Sequence, residues 1–276
     1  MQETPVGLVA IDLDGTLLRK DKTISAQNVR TLMEAQARGI TVCINTGRMA
    51  QDAAELARQN GLVCAVAGNN GAHIMDAQGR TLYSGLIPGE KAVALCRMGL
   101  GSGMKLVAHF DGYVAVYPAQ MRYAPVSRSA SIGCRHGFEQ MLRSAADGMR
   151  KLVVLGERHD PRLVQLRSQV NARFPELPVV SSGADNVEIG VEGSGKDAAL
   201  RLLCGLYGVP VSHAMAIGDA ENDLPMLRAA GWSTAMANAS EAVKAVCRFV
   251  TLGNEEDGVA YAVRRWAMGE DGTQDE

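Results

Sequence analysis

Short apolar runs alternate with amphipathic helical stretches at both ends of this chain, but not in its middle. VGLVAIDLDG, Val6 to Gly15, is an apolar run closed by two carboxylates and a glycine. That is the pattern of a buried parallel strand with a loop at its carboxyl end. SAQNVRTLMEAQARG follows as a helical pattern from Ser25, with Val29, Leu32, Met33 and Ala37 apolar and Gly39 as the stop. ITVCINTG is a second strand, MAQDAAELARQNG a second helix closed by Gly61, and LVCAVAGNNGA a third strand running into an Asn-Gly turn. Strands and helices in this order predict an α/β domain built on a doubly wound parallel sheet.

The rhythm breaks at about Leu82. MKLVAHFDGYVAVY and MRKLVVLGE read as strands, the first with a hairpin turn at Asp111-Gly112. PRLVQLRSQVNARF reads as an amphipathic helix with Leu163, Val164, Leu166 and Val170 apolar, and VVSSGADNVEIGVE as two short strands. The alternating rhythm returns near Lys196 with DAALRLLCGLYG, HAMAIGD, ENDLPMLRAAG, WSTAMAN, SEAVKAVC and RFVTL. Residues 1–82 and 190–276 are therefore expected to form one core domain, with 83–189 inserted as an α+β module. The polar end, GEDGTQDE, is expected to fray.

Composition removes several function classes. A formal charge of −2 gives no electrostatic footprint for nucleic acid or an anionic membrane, and 4% aromatics leave little for stacking bases. The six cysteines form no C-x-x-C pair, so neither a zinc site nor a disulfide framework is expected. No signal peptide or membrane span is expected from the apolar pattern. A reduced, cytoplasmic protein is expected.

Asp12-Leu13-Asp14-Gly15-Thr16 stands directly after the first strand. Open α/β sheets bind ligands at the carboxyl ends of their strands, and two carboxylates one residue apart can face one cavity there. One can attack phosphorus while the other manages protons. A solvated D-x-D-G turn is the plainer reading of such a pair; the buried strand before it and Gly-Thr after it favour chemistry. DLDGT after an apolar strand resembles the first motif of the haloacid dehalogenase superfamily, in its Cof-type sugar phosphatase branch. The resemblance implies Asp12 as nucleophile, Asp14 as general acid/base and Leu13 as a source of backbone contacts to phosphate.

Three further segments extend the likeness. Asn45-Thr46-Gly47-Arg48 ends the second strand, where a hydroxyl, accessible backbone N–H groups and a helix start suit an oxyanion. Thr46 and Gly47 are assigned to phosphate, and Arg48 to substrate contact or to bracing the loop. Gly190 to Lys196 fits G-x-x-x-x-G-K, but Asp197 stands where a nucleotide-binding P-loop needs Ser or Thr to reach a metal. In the family this segment places Lys196 as the lysine that clamps phosphate, although Gly195 and Asp197 depart from the usual serine and glycine. Gly218-Asp219-Ala220-Glu221-Asn222-Asp223, followed by Leu-Pro-Met-Leu, resembles the last motif. Acidic residues at a helix start can merely complement its dipole. The likeness instead implies Asp219 on Mg²⁺, Asn222 on phosphate and Asp223 supporting the loop. AMANASEAVK, NEEDGVAYAV and Asn69-Asn70-Gly71-Ala72 resemble family segments as well.

The resemblance implies a Rossmann-like core with a C2-type α/β cap, and Mg²⁺ held by Asp12, Asp219 and the backbone carbonyl of Asp14. The expected activity is hydrolysis of the phosphate monoester of a small metabolite, a sugar phosphate or similar, through an aspartyl-phosphate. A phosphomutase, a P-loop kinase and a non-catalytic metabolite-binding regulator are the rivals. The histidines show no ligand spacing; His109 and Arg135, within the insert, are the two set beside the substrate as minor candidates. The insert carries no readable code for substrate.

Overall fold

A computed structural model describes residues 6–123, 125 and 132–270, so 271–276 of the polar end lie outside the described residues. The chain runs β1 (Leu8–Ile11), α1 (Ala26–Ala37), β2 (Thr41–Asn45), α2 (Ala50–Gln59), β3 (Ala65–Gly68), β4 (His73–Met75) and β5 (Thr81–Ser84). It continues through α3 (Gly89–Gly101), β6 (Lys105–His109), β7 (Tyr113–Tyr117), β8 (Gly133–His136), α4 (Phe138–Ala145), β9 (Lys151–Leu155), α5 (Pro161–Arg173), β10 (Val179–Val180) and β11 (Asn186–Ile189). It closes with α6 (Lys196–Tyr207), β12 (Ala214–Gly218), α7 (Leu224–Ala229), β13 (Trp232–Ala235), α8 (Glu241–Lys244), β14 (Phe249–Val250) and α9 (Gly258–Ala262).

Two sheets result. The larger has the order β14-β13-β12-β1-β2-β3-β4-β5. From β14 to β3 every pairing is parallel, with β1 hydrogen-bonded between β12 and β2. Burial on both faces explains why β1 reads as an unbroken apolar run. Val9 and Ile11 pack into the cluster that holds Leu32, Leu56 and Val259, whereas Leu8 and Ala10 pack on the other face with Leu200, Leu203 and Met226. Each such aliphatic side chain taken out of water contributes roughly 1.5–3 kcal/mol.

The edge beyond β3 differs from the expected rhythm. β4 and β5 add two antiparallel strands, too short and polar to announce themselves. The expected boundary between residues 82 and 83 falls inside β5, so the large sheet extends to Ser84. The second sheet has the order β10-β11-β9-β6-β7-β8 and is antiparallel except for β7 on β8. Residues of α3, α4 and α5 fill one of its faces: Leu95, Met141 and Leu166 pack with Leu106, Leu152 and Val154. On the opposite face Val107, Val114, Val116 and Val153 meet Met49 from the large-sheet side.

α1 also departs from its expected stripe. Met33 is 48% exposed, and the inward positions are Asn28, Thr31, Leu32 and Ala35. Asn28 and Thr31 are tolerated there because they are hydrogen-bonded: Asn28 Oδ1 accepts from Ala260 N at 2.9 Å, and Thr31 Oγ1 from Arg264 Nε at 3.2 Å. Cys43, Cys64, Cys96 and Cys204 are buried free thiols.

Candidate active site

The groups singled out from the sequence come together at the carboxyl ends of β12, β1 and β2. Asp12 follows β1, Thr46-Gly47-Arg48 follows β2, Asp219 and Asp223 follow β12, and Lys196 opens α6. Lys196 is 1% exposed and donates to Asp12 Oδ1 at 2.6 Å and to Asp223 Oδ1 at 2.5 Å. Asn45 fixes the start of α6 by donating to the Lys196 carbonyl at 2.8 Å. Asp223 spends its other oxygen on the backbone N–H groups of Asp219 and Ala220, each at 2.9 Å.

The first and last motifs interlock. Thr16 Oγ1 donates to Asp219 Oδ1 at 2.7 Å. Gly15 has φ of +78°, and a Cβ there would lie 2.3 Å from an Asp219 carboxylate oxygen, so both conformation and space require glycine. Asn238 Nδ2 donates to the Gly15 carbonyl at 2.8 Å, and Asn254 in turn donates its backbone N–H to Asn238 Oδ1 and its amide to the Leu18 carbonyl. Through that network the AMANAS and NEEDG segments hold the DLDGT loop in place.

Asp12, Asp219 and Asp223 each offer a carboxylate oxygen, and these oxygens lie within 4.8 Å of one another. Burial pushes Asp12 well above the usual carboxylate range, and burial with the nearby Asp223 pushes Asp219 up to about 6. Burial alone would discharge Lys196, but Asp12 and Asp223 outweigh it and keep the ammonium charged. Three carboxylates against one ammonium leave a buried negative excess, which suits a hard divalent cation.

Two residues sit otherwise than their assignments suggest. Asp14 turns its carboxylate away from the acidic cluster onto Arg48, which donates through Nε at 2.5 Å and a terminal nitrogen at 2.7 Å; Lys22 adds a contact at 2.8 Å. Burial would raise its pKa, but these two cations hold it at about 2. Arg48 thus braces Asp14. Asp223 does more than support a loop, since it shares Lys196 with Asp12 and belongs to the acidic cluster. Leu13 is a fully buried side chain, so only its backbone can serve a ligand. The Gly190–Lys196 segment follows β11, a strand of the antiparallel sheet, and not a parallel strand feeding a phosphate loop. That placement excludes the P-loop reading.

Above this constellation a cleft of about 310 Å³ separates the two sheets. Asp12, Asp14, Thr46, Gly47, Arg48 and Asn222 line its large-sheet side. Asn222 also bonds through its backbone N–H to the Ser181 carbonyl at 3.1 Å. The opposite wall carries Val107, His109, Tyr123, Lys151, Val153 and Glu188. Lys151 and Glu188, 3% and 5% exposed, pair at 2.9 Å. Lys151 also donates to the Gly47 carbonyl, and Asn70 donates to Glu188 at 2.7 Å. Neither Lys151 nor Glu188 was assigned a role from the sequence. A signal was present: each is a lone charge at a position within an otherwise aliphatic strand, KLVVL and NVEI. Of the two insert candidates, His109 lines the cleft, whereas Arg135 stacks 3.9 Å above the Tyr113 ring outside it.

A doubly wound sheet with strand-end carboxylates, a buried lysine between them and a second sheet closing over the cleft defines a phosphoryl-transfer hydrolase. Residues 9–263 match the haloacid dehalogenase-like hydrolases, and the chain belongs to that family. It is a phosphatase. It is 32% identical over 285 residues to the 5-amino-6-(5-phospho-D-ribitylamino)uracil phosphatase YwtE of Bacillus subtilis (strain 168), covering 95% of this chain and 98% of that protein. It is 26% identical to the HMP-PP phosphatase of Serratia proteamaculans (strain 568), with 94% of each chain covered. The solved structure of a haloacid dehalogenase-like hydrolase from B. subtilis superposes with a TM-score of 0.83 at 26% identity, over 94% of this chain and 99% of that one. Among the described residues, no helix is long and apolar enough to cross a membrane.

Proposed function

We propose that Asp12 is the nucleophile of a two-step hydrolysis. Its carboxylate attacks phosphorus in line and the ester oxygen departs as an alcohol, leaving a phosphoryl group on Asp12; water then cleaves that bond. Lys196 neutralises the phosphate charge that would otherwise repel the attacking carboxylate. Thr46, the Gly47 backbone, the Leu13 backbone and Asn222 bind the phosphate oxygens. Asp14 protonates the departing oxygen and later takes the proton from water. An aspartate paired with Arg48 and Lys22 at a pKa of about 2 cannot do this, so the role requires Arg48 to release it when substrate arrives.

The acidic cluster fits a divalent cation, and Mg²⁺ is the ion proposed, held by Asp12, Asp219 and the Asp14 carbonyl, with Asp223 close enough to join them. Mg²⁺ would supply Lewis-acid charge neutralisation at the phosphate. The segment between the two parts of the large sheet acts as the cap. The substrate proposed is a sugar phosphate or a similar small phosphate ester, and the compartment is the reducing cytoplasm.

The observation that carries this reading is the buried Lys196 bridging Asp223 and Asp12, the latter a carboxylate lining the cleft. Its test is Asp12→Asn, which should keep the fold and abolish phosphate release. Turnover above roughly a hundredth of wild type, a barrier change under about 3 kcal/mol, would count against Asp12 once deamidation is excluded.

A further inference from the structure

Strands β6 and β9 place His109 opposite Lys151 and Val107 opposite Val153. β11 puts Glu188 opposite Val153 on the other side. Alternate residues share one face of a sheet, so these five side chains form a single surface, and it is the wall of the cleft that faces the catalytic groups. The surface has a polar corner, made by His109, Lys151 and Glu188, and an aliphatic remainder.

The polar corner is fixed from behind. The Lys151 ammonium has three N–H donors. One goes to the Gly47 carbonyl and one to Glu188 Oε2; the third has no partner among the described residues. Glu188 is occupied, accepting from Asn70 on the same oxygen and from Ser182 Oγ at 2.6 Å on the other. Burial and the adjacent Lys151 keep the His109 imidazole neutral, at about 3. Its Nδ1 lies 2.9 Å from the Asn69 amide nitrogen, which donates to it. The ring proton therefore sits on Nε2, a second donor without a partner among the described residues.

We propose that His109 and Lys151 read the leaving group: each offers one N–H to a hydrogen-bond acceptor on the departing alcohol, while Val107, Val153 and Leu155 bury a flat or aliphatic body beside it. The inference rests on the phosphatase reading and deepens it. The substrate class is a phosphate ester whose alcohol carries a carbonyl oxygen or ring nitrogen next to apolar surface. A bare hexose fits less well, because hydroxyl donors pressed against valines lose water without gaining a partner.

The test compares kcat/KM, with Mg²⁺, for benzyl phosphate, its 2-, 3- and 4-pyridylmethyl counterparts and glucose 6-phosphate. One pyridylmethyl isomer should exceed both benzyl phosphate and glucose 6-phosphate by about tenfold or more, the worth of one or two hydrogen bonds from fixed donors. His109→Phe should bring the pyridylmethyl-to-benzyl ratio towards one. His109→Gln, which retains an N–H, should recover part of the ratio. A wild-type ratio below about threefold for all three isomers, or glucose 6-phosphate as the best substrate, would overturn the proposal without any variant needing to fold. So would a ratio unchanged in His109→Phe. Equal, Asp12-dependent turnover of every ester removes only this inference, whereas no turnover of any ester removes the phosphatase reading and this one together.

Discussion

Replacing Lys196 by Met keeps most of the side-chain volume and deletes the charge that three carboxylates share. Lys196 is 1% exposed, with Asp12 at 2.6 Å and Asp223 at 2.5 Å. Breaking a buried pair by removing one partner costs about 3–5 kcal/mol. An independent bound comes from the escape open to the cluster, which is to take up a proton. Protonating an aspartate of ordinary pKa, 3.8, at pH 7 costs about 4 kcal/mol, at ~1.36 kcal/mol per pH unit. The two figures agree, so the metal-free variant should be about 4 kcal/mol less stable near neutrality. The sign with pH follows. A carboxylate whose folded pKa is raised above its unfolded value contributes stability below the unfolded pKa, and loses it as pH rises through the folded one. The gap between wild type and variant should therefore narrow by up to ~1.4 kcal/mol for each pH unit of acidification from neutrality towards pH 5. Trp232 and Trp266 both pack on the large-sheet core, so urea unfolding in EDTA followed by tryptophan fluorescence reads the relevant region. A gap below about 1 kcal/mol, or one that does not move with pH, would refute the view of Lys196 as the compensating charge of the cluster.

Gly15→Ala forces a residue with a Cβ into φ of +78° and onto Asp219; it should cost about 1–3 kcal/mol in stability and raise the Mg²⁺ midpoint of turnover, which a titration checks. Asp219→Ala should chiefly raise that same midpoint, and an unchanged midpoint would argue against metal ligation. Glu188 is held at about 2 because Lys151, Ser182 and Asn70 together outweigh its burial. Its stabilisation is full above the unfolded pKa of 4.5 and lost as pH falls towards 2. Urea unfolding should thus show wild type losing about 1.2 kcal/mol relative to Glu188→Gln between pH 5 and pH 3.5.

The clustering of the candidate-site residues was legible because its constraints are local. Asp12, Thr46, Lys196 and Asp219 each sit beside a strand end or helix start whose apolar run announces itself, so the sequence places them in the same layer before any contact is known. The edge was less legible: β4 and β5 are short antiparallel strands, and the exposed residues of β5 carry no alternation to read. The direction in which Asp14 turns was hidden too, since Arg48 and Lys22 reach it through tertiary contacts. The cleft wall was least legible. His109, Lys151 and Glu188 lie on three strands that are not consecutive in the chain, and only the pairing of β6 with β9 and of β9 with β11 makes them one surface.

That surface also bears on how the cap moves. Three loops beside the cleft are tied to it: the Gly47 carbonyl by Lys151, Asn70 by Glu188 and the Asn222 backbone by the Ser181 carbonyl. Lys151 and Glu188, however, both belong to the second sheet, on β9 and β11. Opening the cleft would not separate the buried ion pair, which avoids the largest electrostatic cost. It would break hydrogen bonds to neutral groups of the core, each worth about 0.5–3 kcal/mol and replaceable by water, the solvent-accessible Arg167–Glu221 ion pair at 3.0 Å, worth little at a wet surface, and the packing of Met49 on the valines. If the second sheet moves as the proposed cap, the charged pair would travel with it, and its contacts to Gly47 and Asn70 would form only on closure. Such a closure would fix the phosphate loop and present the Lys151 donor to the leaving group in the same movement, coupling phosphate binding to the reading of the rest of the substrate.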